Sequence, residues 1–216
     1  QGSRGPCCLG WGGAMALLRK GSSRISEENI NCRLQREKAK TGTVTASLAW
    51  NSPSDLDLHA IVHLDAGGKV EIDYNNKVAA GGKLDVDMHA RDSEIVQEPV
   101  ENIFWKKAPA GVYSISVVLY RKRGGDDPVA FRMLLKLEDE EEPKSVEGKL
   151  EKDKDRVECF RFTVDDEGGV TMGSVKEPMP PFKAKAKEKA AGRAKGKAKG
   201  KAKGKAKGKA KAKVKA

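Results

Sequence analysis

From Thr41 onward, apolar and polar residues alternate with a period of two. Val44, Ala46, Leu48 and Trp50 share one parity, with Thr45, Ser47 and Ala49 on the other. Successive side chains of a strand face opposite ways, so this is the pattern of a half-buried strand. The same alternation predicts further strands near 56–64, 69–74, 84–89, 112–120, 129–138 and 157–164. Turn formers separate them: Asp65-Ala-Gly-Gly, Asn75-Asn76, Gly81-Gly82, Gly124-Gly125-Asp126 and the stretch 165–169. Seven or eight short strands at this spacing, with no clear helical stretch between them, predict an all-β chain folded as an antiparallel β-sandwich.

The flanks read differently. Residues 26–40 are polar, and Ser26 is placed to cap a short helix. The apolar positions are too few to bury a stripe, so 1–40 is expected to be a disordered or loosely held basic arm. The stretch 138–155 is nearly all charged and contains Pro143, which predicts a long solvated loop within a single domain spanning 41–175. Residues 176–216 read as a Pro-containing linker that passes into a Lys-Ala-Lys-Gly repeat. That repeat has no apolar face and strong self-repulsion, the composition of a disordered tail. The longest apolar stretch, around 112–120, is far short of the roughly 20 residues that span a bilayer, so no membrane span is expected.

Charge sharpens this division. The net charge is +11, but 1–40 carries +5 and 183–216 carries +15, leaving 41–182 at −9. An acidic body therefore sits between basic ends, and an affinity for polyanions has to come from the ends. In 183–216, sixteen Lys and Arg face only Glu188, and no aromatic residue follows Phe182. Lys195, Lys197, Lys199, Lys201, Lys203, Lys205, Lys207, Lys209, Lys211 and Lys213 are the candidate phosphate contacts. They can neutralise nucleic-acid phosphates and release counterions without reading bases. Acidic lipid, acidic protein and the chain's own acidic body are alternative partners for the same lysines.

Cys7, Cys8, Cys32 and Cys159 form neither CxxC metal spacing nor a disulfide framework, and Met15-Ala-Leu-Leu-Arg lacks a secretory core of about seven apolar residues. Reduced thiols and an intracellular site are expected, with the lysine run also fitting nuclear import.

In the body, Asp55-Leu-Asp-Leu-His59 and Asp85-Val-Asp-Met-His89 repeat one pattern thirty residues apart. On strands, Asp55, Asp57 and His59 share a face, as do Asp85, Asp87 and His89. If the two strands are neighbours, these six residues converge and their charges need compensation. A divalent cation is one answer: Ca²⁺ if carboxylates and amides such as Asn75 dominate, Zn²⁺ or Mn²⁺ if the histidines join. The plain alternative is that each Asp caps a turn or pairs with Lys77, Lys83 or Arg91. A hydrolase built on Asp57, Asp87 and His59 is disfavoured, because the chain has no nucleophile elbow, no HExxH and no phosphate loop.

Trp50, Asp55-Leu-Asp-Leu-His59, Tyr74-Asn75, Gly81-Gly-Lys-Leu-Asp-Val-Asp87, Glu101-Asn-Ile-Phe-Trp105, Ala108-Pro-Ala-Gly111 and Tyr113 stand in order along 44–137. Together they resemble an uncharacterised β-sandwich family of bacteria and microbial eukaryotes. The resemblance implies the sandwich and no particular activity, leaving the body's ligand or protein partner open. The segment 183–216 resembles the lysine- and alanine-rich tails of linker histones, which implies sequence-blind, DNA-compacting contacts. The combined expectation is a non-enzymatic β-sandwich binding module with a polyanion-binding tail. The alternative is a metal- or ligand-binding sandwich that the tail merely localises.

Overall fold

The computed structural model describes residues 25–89, 95–125 and 127–176. The chain divides into a unit Gln1–Lys185 and a second unit, Ala186–Ala216, which lies outside the described residues together with all ten candidate tail lysines. None of the described helices is long and apolar enough to cross a membrane.

The described residues form one helix, α1 (Glu27–Arg36), and eleven strands: β1 (Val44–Trp50), β2 (Asp55–Leu64), β3 (Lys69–Ile72), β4 (Val78–Ala79), β5 (Gly82–Val86), β6 (Val100–Trp105), β7 (Gly111–Arg121), β8 (Val129–Leu137), β9 (Lys144–Leu150), β10 (Arg156–Val164) and β11 (Val170–Gly173). They build two antiparallel sheets in the orders β4-β5-β6-β1-β8-β9 and β11-β10-β7-β2-β3. The all-β sandwich expected from the alternation is the fold observed. Facing residues of the two sheets fill its core, with Trp50, Trp105, Tyr113 and Phe162 fully buried. Tyr113 stacks on Phe162 at 4.8 Å and meets Trp105 edge-on at 5.4 Å. Its hydroxyl donates to Pro109 O at 2.6 Å, so a core tyrosine keeps its polar end paired.

Strand β1 is buried on both faces. Val44, Ala46, Leu48 and Trp50 face the sandwich core, whereas Ala49 joins Val86, Val100 and Leu134 under the helix, packed by Ile30 and Leu34. The arm is therefore not loosely held over 27–36, and this corrects the sequence reading. Counting apolar residues missed Arg33, which is 2% exposed. It donates to Trp50 O at 2.8 Å, Pro99 O at 2.9 Å and Asn51 Oδ1 at 2.5 Å. Ser26 caps the helix as expected, accepting from Asn29 N at 3.1 Å. Arg33→Ala is expected to cost about 3 kcal/mol in urea unfolding, because it orphans buried carbonyls that now hold a charged donor. A loss under about 0.5 kcal/mol would mean that the helix contributes nothing to the fold.

The stretch 138–155 is corrected as well. It contains β9, which pairs with β8 from Leu135↔Lys144 to Val129↔Leu150 at the edge of its sheet. An edge strand needs only one partner, and its charges discourage further pairing, so a highly charged segment suits this place. Pro143 stands just before the strand, where its missing N–H costs no ladder bond. Gly148 is required there, since a Cβ would meet the Phe131 ring at 2.4 Å. Alternation did not mark β6 as a strand, and it extended the strand at 84–89 too far. β5 ends at Val86 after a register shift, and His89 takes a left-handed φ of 68°.

Candidate functional site

The strands that carry the two acidic motifs are not neighbours: β2 lies in one sheet and β5 in the other. The six residues therefore do not converge as a group, and each motif is split by its own surroundings.

Asp55 pairs with Arg123, whose Nη2 lies 3.2 Å from Asp55 Oδ2. Burial raises its pKa, and Arg123 and His89 offset this only in part. Asp85 fastens the arm: Oδ2 accepts from Lys40 N and Oδ1 from Asn102 Nδ2, both at 2.8 Å. His89 is buried edge-on to Trp50 at 5.5 Å. Its Nδ1 is 3.0 Å from Ser54 O and its Nε2 is 3.0 Å from both the N and the O of Val96, so both ring nitrogens are used structurally. His59 lies 2.9 Å from Glu71 Oε1, which Arg156 also contacts at 3.1 Å. Burial alone would raise Glu71, but the hydrogen bonds from His59 and Arg156 outweigh it and hold the carboxyl below its usual value. His59, Glu71 and Asp73 form one close group. Asp73 already accepts from the Asn75 and Asn76 backbones at 2.9 and 2.7 Å.

The remaining two motif residues, Asp57 and Asp87, come together with an acid that the sequence reading placed only in the Glu101-Asn-Ile-Phe-Trp105 motif. This is Glu101 on β6, 1% exposed and turned into the sandwich on the same parity as Ile103 and Trp105. The site begins where β3 stops. Pairing of β3 with β2 runs from His63↔Lys69 to Ala60↔Ile72, so among the described residues the edge of β2 over 55–59 that faces away from β7 has no strand beside it. Glu101 crosses from the other sheet to this open edge and accepts from Leu58 N at 2.6 Å, replacing the absent ladder bond. Asp57, also on this edge, is 6% exposed. Asp87 arrives from the segment after β5. Lys77 Nζ lies 2.6 Å from Asp87 Oδ2, an ion pair outside hydrogen-bonding angles. One carboxylate oxygen from each of Asp57, Asp87 and Glu101 lies within 4.8 Å of the others.

No family model, curated protein or solved structure matches the chain. What the cluster can do follows from its own atoms.

Glu101 Oε1 has no donor, and Glu101 is within hydrogen-bonding reach of Asp87. Two acceptors in that relation need a proton or a cation between them. Burial first, then the charges of Asp57 and Asp87, holds Glu101 well above the ordinary carboxylate range. Burial, reinforced by Asp55 and Asp87, lifts Asp57 from 3.8 to about 7. Asp57 has no hydrogen bond or ion pair among the described residues, and its Oδ2 is buried. The parity of Glu101 was the signal available in the sequence: an acid on the inward face of an Ile-x-Trp alternation. A surface depression of about 470 Å³ lined by Thr43, Lys107, Leu137, Glu140 and Gly168 contains no member of the cluster.

Proposed function

We propose that this chain is a non-catalytic β-sandwich binding module anchored to polyanions, foremost nucleic acid, by its lysine-rich C-terminal segment. The observation that carries this is the charge segregation: +15 in 183–216 against −9 in 41–182. Phosphate repels the acidic body, so attraction has to come from the lysines, and Ala and Gly spacers let them follow a phosphate line without ordering a fold. The carboxylates of Asp57 and Glu101 are too enclosed to meet a substrate. The Cys159 thiol is pushed up to about 12, by burial first and then by Glu158, which leaves it a poor nucleophile. Both observations support a binding role over catalysis.

Binding of a short DNA duplex by the full chain and by a chain ending at Pro181, across a salt series, tests this reading. With about ten lysines engaged, log K is expected to fall with log salt at a slope of about −9, and the truncated chain is expected to lose the binding. Equal binding by both chains would place the nucleic-acid contact elsewhere and defeat the proposal.

A further inference from the structure

We infer that Asp57, Asp87 and Glu101 form a binding site for a hard divalent cation, Ca²⁺, that staples the two sheets together at the open edge of β2. This inference is independent of the lysine-rich segment. Asp57, 6% exposed, reaches the group with a carboxylate that has no hydrogen bond or ion pair among the described residues. A buried carboxylate without a partner is costly, and two more carboxylates within 4.8 Å raise that cost unless positive charge enters between them.

The geometry and donor set select the ion. All three donors are carboxylate oxygens, which suits a hard cation and gives none of the nitrogen or sulfur ligands that favour zinc. Mg²⁺ demands near-ideal octahedral geometry and gives up its waters reluctantly, whereas Ca²⁺ takes several carboxylate oxygens at about 2.4 Å in a flexible shell. Three enclosed carboxylates from separate segments, all within 4.8 Å of one another, therefore suit Ca²⁺. Lys77, half exposed and paired to Asp87, supplies part of the missing positive charge and can swing into solvent when the ion enters. The ligands come from β2 in one sheet and from β6 and the segment after β5 in the other, so the ion bridges two sheets that no strand ladder joins.

Thermal unfolding of the full chain at about pH 8, first in chelator and then with added CaCl₂ or MgCl₂, tests the inference. At a hundredfold excess over Kd, Ca²⁺ is expected to raise Tm by about 8 °C, with one ion bound per chain by equilibrium dialysis. Asp57→Asn is expected to melt above the parent in chelator, because it removes an unpaired buried charge, and to ignore Ca²⁺. Lys77→Met is expected to tighten Ca²⁺ binding several-fold by removing the competing ammonium. No Ca²⁺ response in the parent chain, or an equal response in Asp57→Asn, overturns the site. An equal response to Mg²⁺ overturns the assignment of the ion.

Discussion

Between about pH 5 and about pH 8, in chelator, the sandwich is expected to lose about 3 kcal/mol of stability. Asp57 is the main cause. Its folded-state pKa is raised from 3.8 to about 7, so over this range the folded chain holds a proton that the unfolded chain has released. Stability therefore falls as pH rises, and the contribution is spent once pH exceeds about 7. Glu101, fully buried and raised by the same causes, acts in the same direction, as does Asp55. Glu71 is the opposite case: its lowered pKa contributes stability above its ordinary value, lost only as pH falls below about 4.5, and its exposure weakens that effect. Urea unfolding at several pH values should show the decline, and Asp57→Asn should flatten most of it. A parent chain equally stable at pH 5 and pH 8 would mean that the cluster is already compensated.

The same buried charges mark where sequence reading failed. Alternation sufficed for β1, β2, β7 and β8, each of which presents an unbroken apolar parity to one core, and also for β10, although a bulge between Glu158 and Phe160 shifts its parity. It failed for β6, where Glu101 and Asn102 interrupt the apolar parity on both faces at once. Both acids of the first motif, Asp55 and Asp57, do lie on one strand as read, yet their partners are decided by long-range packing. Arg123 takes Asp55 at a separation of 68 residues, and Asp57 meets a glutamate on the opposite sheet. The second motif was misread because the register shift before Val86 takes Asp87 and His89 out of the strand. Identical local patterns thus acquired different roles: His59 faces Glu71, whereas His89 became a core ring under Trp50. Likewise, Arg33 and the charged β9 show that a few well-placed donors, or a single edge position, can order segments whose composition predicts solvent exposure.

Replacing Glu101 by alanine and by glutamine is expected to move stability in opposite directions. Alanine removes the acceptor of the buried Leu58 N–H and leaves a cavity of roughly two methylenes, which together cost about 3 kcal/mol. Glutamine keeps an oxygen for Leu58 N, and its amide can donate to Asp87, so the three mutually repelling acids become two. It should raise stability at about pH 8 by about 1 kcal/mol and make it less dependent on pH. It should also weaken the response to Ca²⁺ by removing one anionic ligand. The contrast separates two roles that one side chain combines, an acceptor that closes the open edge of β2 and a charge that requires a counterion. If glutamine proves as damaging as alanine in chelator, Glu101 is needed as an anion even without added metal. The positive charge holding it would then be Lys77, and Lys77→Met should reproduce the same loss.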